Sequence, residues 1–170
     1  MGLKSLIALG LLTIMPLASV AQDLTVHFTG DFFVPSCAVS IDDVDLGTYS
    51  VSDFTGVLMR TPAKVVTLKA TNCSHVSVAS VLFSGVADGT VSGGNNFKVT
   101  SVSGNISGVA VYLAKADGTK ILPGAPSTAL NWDSPVVNPS ITILASFIQT
   151  TSTVTPGVGR VFVNAQFTYN

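Results

Sequence analysis

The chain has 170 residues, of which 47% are hydrophobic and only 10% charged, with a net charge of −1. That length holds about one domain with a core of its own. A near-neutral chain without a basic stripe excludes a nucleic-acid binder, and so apolar a composition excludes a disordered tail. Val occurs 24 times beside 19 Ser and 18 Thr, all nine acidic residues are Asp, and Glu is absent. Val and Thr favour strands, Asp, Ser and Gly favour turns, and the usual helix formers are scarce, so the chain reads as all-β.

The first segment carries Lys4, then a mostly apolar stretch from Leu6 to Leu17, then Ser19 and Ala21 as the small residues at −3 and −1 of a cleavage site. This is the pattern of a secretory signal peptide over residues 1–21. The apolar run falls short of the roughly 20 residues that span a bilayer. Export permits a disulfide, and the two cysteines, Cys37 and Cys73, stand 36 residues apart. That gap is too long for a CxxC redox motif or a typical zinc pair, which leaves a structural bridge.

Beyond the leader, Leu24, Val26, Phe28, Gly30, Phe32 and Val34 occupy every second position of an eleven-residue run. Strict alternation over that length predicts a strand, and one longer than the usual five or six residues. A glycine inside a strand weakens it and marks close approach of another backbone, so Gly30 needs a reason. Further strands are expected over Lys64–Cys73, Val76–Ser84, Phe97–Val102 and Val109–Ala114. The turn Lys115-Ala116-Asp117-Gly118 should then lead to a return strand, Thr119–Leu122, followed by Pro139–Gln149 and Arg160–Tyr169. No run sustains a helical period. Seven or so strands with one bridge predict an immunoglobulin-type β-sandwich, although the single Trp132 lies past both cysteines. At the C-terminus Val161, Val163, Ala165, Phe167 and Tyr169 alternate almost to Asn170, and a last strand that runs to the chain end must be held by something.

Catalytic chemistry finds no support in the residues. His27 and His75 are the only histidines, and GxSxG, HExxH and P-loop patterns are missing. Asp42, Asp43 and Asp45 form a small acidic cluster, but a chain without Glu does not match a calcium-binding EF-hand loop, and a solvated turn before a strand is expected there. Neither a metal nor a cofactor is expected. Trp132 with Asn131 and Asp133 reads as a loop anchor, with sugar stacking as the sharper alternative.

These ends resemble the pilin subunits of chaperone–usher fimbriae, type 1 pili in particular. The resemblance rests on the leader; on Thr25-Val26-His27-Phe28-Thr29-Gly30 followed by Cys37-Ala38-Val39; on Val44-Asp45-Leu46-Gly47; on Asn72-Cys73; and on Gly157, fourteenth from the end, with Tyr169 penultimate. It implies an incomplete immunoglobulin-like sandwich that lacks its seventh strand, with residues 22–36 as an N-terminal donor-strand extension and 37–170 as the pilin domain. It further implies that Leu24, Val26, Phe28, Gly30, Phe32 and Val34 form the donor face. Gly157, Val161, Val163, Ala165, Phe167, Tyr169 and the terminal Asn170 would then form the groove edge that a chaperone clamps. The implied partners are a periplasmic pilus chaperone, an outer-membrane usher and neighbouring pilin subunits, with a host receptor reached through the fibre and no nucleic acid. The implied function is a structural subunit of an adhesive fimbria at the cell surface, and the alternative is a minor tip subunit or single-domain adhesin.

Overall fold

Valine-rich alternation sets the strands, and glycines at positive φ turn the chain between them. The computed structural model describes residues 29–30, 36–74, 79–90, 95–126, 130–132 and 140–169. The chain separates into two units, Met1–Phe32 and Phe33–Asn170. Of the first, only Thr29 and Gly30 are described. The leader and most of the alternating run Leu24–Val34 therefore lie outside the described residues, as do His27 and His75.

Within the second unit the strands are β1 (Ser36–Ile41), β2 (Lys64–Ser74), β3 (Ala79–Ser84), β4 (Phe97–Lys98), β5 (Thr100–Ser107), β6 (Val109–Lys115), β7 (Lys120–Ile121), β8 (Leu130–Trp132), β9 (Ser140–Gln149), β10 (Thr155–Arg160) and β11 (Asn164–Tyr169). One short 3-10 turn, Val51–Asp53, is capped by Ser50. The larger sheet runs β1-β2-β9-β6-β4, with β7 also paired to β6; a second set is β11-β3-β8, and β10 pairs β5. Every one of these pairings is antiparallel.

The core lies between the two layers. Val66 and Leu68 of β2, Ile143 and Ala145 of β9 and Val109, Val111 and Leu113 of β6 meet Val81 and Phe83 of β3, with Phe97, Val99 and Ile121. In β2, β3, β6 and β9 these residues recur at every second position, so one face of each of those strands enters the core. The fold is an incomplete immunoglobulin-like sandwich, all-β as the composition requires.

Two covalent and polar features pin the edges. Cys37 of β1 is bonded to Cys73 of β2. Gln149, only 2% exposed, receives the Gly56 amide on Oε1 at 2.9 Å and donates Nε2 to the Thr151 carbonyl at 2.8 Å. A buried amide satisfied on both sides holds the 56–61 segment against the end of β9. The β6–β7 hairpin closes through Gly118 N–H to the Lys115 carbonyl at 2.9 Å, with Gly118 at φ +87°. Asp117 accepts from the Thr119 amide at 2.8 Å. That hydrogen bond, helped by the neighbouring Lys115, holds the Asp117 carboxyl below the ordinary value of 3.8.

The strands expected over Phe97–Val102 and Arg160–Tyr169 each prove to be two. The first divides at Val99 and its second part runs on to Ser107; the second divides at residues 161–163, and its first part begins at Thr155. β1, β8 and the early start of β10 were not anticipated. Trp132 contributes its backbone to β8, where it pairs with Ala79.

Candidate functional site

The C-terminal strand is where this sandwich is incomplete. β11 pairs along its length with β3, from Asn164 opposite Ser84 to Tyr169 opposite Ala79. Its other edge has no partner strand among the described residues. An unpartnered edge presents a row of backbone N–H and C=O groups, which is a template for another strand.

The side chains agree with the backbone. Val161, Val163, Ala165 and Phe167 pack against the core cluster, yet all four stay only half-buried. Val81 and Phe83 on the adjacent β3 are buried, at 0% and 2% exposure. The apolar face is therefore closed on the β3 side and open on the other. The residues between, Phe162, Asn164, Gln166 and Thr168, point away and are exposed, Phe162 at 73%. The alternation continues unbroken through residues 161–163, where strand pairing lapses. No residue from 161 to 169 carries a charge, and the polar side chains Asn164, Gln166 and Thr168 lie on the exposed face.

Gly157, in β10, is crowded. It faces Gly104 of β5, and a Cβ added to it would lie 2.8 Å from the Ile106 backbone nitrogen and 3.0 Å from the Ser103 carbonyl oxygen. Gly104 itself takes φ +72°. Two glycines thus let β10 and β5 approach more closely than side chains permit.

Gly30 is the reverse. It is exposed, and a Cβ built on it meets nothing within 4 Å among the described residues. Leu24, Val26, Phe28, Phe32, Val34 and Asn170 lie outside the described residues, as does the side chain of Tyr169. The Asp42–Asp45 segment is exposed, and Asp45 accepts from the Gly47 amide at 2.8 Å, a local turn. No group of three or more metal-ligating side chains occurs among the described residues.

The family model described as fimbrial protein matches residues 26–170. A probable major fimbrial subunit, LpfA, of Escherichia coli O157:H7 is 30% identical over 97% of this chain and 94% of its own length. The S-fimbrial adhesin protein SfaS of a uropathogenic E. coli strain is 31% identical over 70% of each chain. Among solved structures, the P pilus rod subunit PapA superposes with a TM-score of 0.61 at 16% identity, covering 79% of this chain and 99% of its own. A Burkholderia pseudomallei antigen and type I fimbria protein does so with a TM-score of 0.54 at 22% identity, covering 81% and 95%. The chain thus belongs to the fimbrial protein family of chaperone–usher pilins, as a structural, non-catalytic subunit exported through the periplasm to the cell surface.

Proposed function

We propose that this subunit polymerises by donor-strand exchange, the open edge of β11 in one copy receiving residues 22–34 of the next. The observation that carries the reading is the half-burial of Val161, Val163, Ala165 and Phe167 beside a strand edge that no described strand pairs. An added strand completes the backbone ladder there and sets alternate side chains into the apolar face. Leu24, Val26, Phe28, Phe32 and Val34 have the required two-residue spacing. Five such side chains, at about 1.5–3 kcal/mol each when fully buried, contribute on the order of 10 kcal/mol gross. Ordering the extension subtracts from that sum.

Before assembly the same edge needs a temporary strand, supplied by a periplasmic chaperone that also holds the C-terminal carboxylate of Asn170 and delivers the subunit to an outer-membrane usher. Similarity to a probable major subunit over nearly its full length supports a repeating role in the fibre.

The test is complementation. A variant lacking residues 22–34 is refolded with and without a peptide of that segment. The variant alone melts low and aggregates; the peptide raises the midpoint by tens of degrees, because a ligand bound only to the native state stabilises it in proportion to its affinity. A variant equally stable with and without peptide would mean that the groove is already filled.

A further inference from the structure

One tetrapeptide occurs twice in the chain. Ala87-Asp88-Gly89-Thr90 and Ala116-Asp117-Gly118-Thr119 have the same four residues in the same order. An Asp followed by Gly is open to one backbone reaction in particular, because no side chain shields the glycine nitrogen. That nitrogen attacks the Asp carboxyl carbon Cγ and forms an N–C bond. One carboxyl oxygen leaves as water, taking the amide proton and the acid proton, and a five-membered succinimide results. Water then opens the ring. Breaking the new N–Cγ bond restores Asp. Breaking the original peptide bond leaves isoaspartate, with the main chain running through Cβ and Cγ. Water is lost and regained, so no co-reactant is needed. Since the four residues are the same in both copies, the fold decides which copy reacts.

The fold treats the two copies differently. Both glycines are exposed and at positive φ, +66° at Gly89 and +87° at Gly118. Gly118 closes the β6–β7 turn. Its N–H donates to the Lys115 carbonyl at 2.9 Å, and the Lys115 N–H donates to the Thr119 carbonyl at 2.8 Å. The attacking nitrogen must give up its proton and turn towards Cγ, so both bonds oppose the reaction. The Asp117 carboxylate also accepts from the Thr119 amide at 2.8 Å. That bond favours the ionised group, whereas the form that loses water is the neutral acid. At the first copy the Gly89 amide donates to no described residue. The Asp88 carboxylate accepts from the Thr90 hydroxyl, a rotatable group and not a turn amide. The ladder beside β4 ends just before the reacting bond. Lys98 N–H donates to the Val86 carbonyl and Asp88 N–H to the Asn96 carbonyl, each at 2.8 Å. A methylene that enters the main chain after the Asp88 amide falls beyond those bonds, so the sheet accommodates the product. At Asp117 the same methylene falls inside a closed turn.

We propose that Asp88–Gly89 is the modification site at which the folded subunit ages, isomerising to isoaspartate through a succinimide, while the turn protects Asp117–Gly118. Two turn hydrogen bonds of ordinary net strength correspond to a rate difference on the order of ten-fold or more. Nothing in this chemistry depends on how subunits assemble.

The full chain, purified in its native state and verified by a cooperative thermal transition, is incubated at neutral pH in heavy-oxygen water. Each succinimide that forms and opens leaves a heavy oxygen at that Asp, whichever isomer results. Mass spectrometry of digests reads the label, and chromatography separates the isoaspartyl peptide from its isomer. The expected result is label and isoaspartate at residue 88 rising about ten-fold faster than at residue 117. In concentrated guanidinium the turn is lost and the two rates converge. Equal rates in the folded chain, or a faster rate at 117, overturn the proposal. So does a folded chain labelled at neither site over a period in which the unfolded chain is labelled at both. A difference that persists undiminished in guanidinium overturns it as well, since the flanking sequence and not the fold would then be the cause.

Discussion

Gly157 and Gly30 lack a Cβ for opposite reasons. At Gly157 the space is already full, with the Ile106 nitrogen 2.8 Å from where a Cβ would sit. Gly157→Ala should separate β10 from β5 and destabilise the subunit by about 1–3 kcal/mol. Urea unfolding of the peptide-complemented subunit measures this, and an unchanged midpoint would contradict the crowding. At Gly30 no described residue lies within 4 Å of where a Cβ would sit. If Gly30 must fit against a neighbouring subunit, Gly30→Leu leaves the subunit folded and chaperone-bound but stops fibre growth. Fibres at parental level from that variant would count against the donor role. Asp117 makes a third, electrostatic case. Its folded-state pKa lies below 3.8 because the Thr119 amide donates to the carboxylate. The stabilisation it gives the β6–β7 hairpin is therefore fully present above 3.8 and is lost as the pH falls through the folded-state value. A carboxyl-carbon NMR titration should place the Asp117 midpoint under 3.8, and a midpoint above it would remove the hydrogen bond as the cause.

At the scale of elements, β2, β9 and the β6–β7 hairpin were legible because each has one face in the core, and burial of one face imposes a two-residue period. β5 beyond Val102 and β10 before Arg160 were not legible, for a physical reason. Gly104, Pro156, Gly157 and Gly159 read as turn residues, yet the small ones are what let the two backbones meet, with Gly157 opposite Gly104. β8 has only three residues, too few to show any period. The alternation holds from Val161 to Thr168 even where pairing lapses, since it reports which side chains face the core and not which amides are bonded. What alternation cannot encode is that β11 has one partner strand among the described residues; that expectation came from resemblance to pilins. The same parity gives a paired test. Val163 is half-buried on the apolar face and Phe162 is 73% exposed on the other. Val163→Asp places an unpaired carboxylate where an incoming strand must be buried, at a cost of about 3 kcal/mol, or on the order of a hundred-fold in affinity for the 22–34 peptide. Phe162→Asp should leave that affinity within a few-fold. Equal losses in both variants, read by calorimetry, would show that the two faces are not distinct.

For the whole molecule, the low charge and apolar excess fit a sandwich whose second layer ends at an open strand, so that a lone subunit lacks part of the burial that a closed domain enjoys. Ordinary domains are stable by only about 5–15 kcal/mol, and one with an open groove sits at the lower end. The Cys37–Cys73 bond, closing a separation of 36 residues between β1 and β2, restricts the unfolded chain and stabilises by roughly 4 kcal/mol in the chain-entropy model. For a closed sandwich that contribution is a margin; for this one it is comparable to the whole. Replacing both cysteines by serine should therefore leave the free subunit largely unfolded, with fibre yield falling because chaperone capture competes with proteolysis of the open chain. Adding the 22–34 peptide should recover a cooperative transition, since strand and disulfide act on different states, the first on the native subunit and the second on the unfolded ensemble. The recovered midpoint should still lie below that of the peptide-bound parent. A serine variant whose midpoint equals the parent's under reducing-agent-free conditions, with or without peptide, would show that the bridge is dispensable and that the sandwich closes its core by other means.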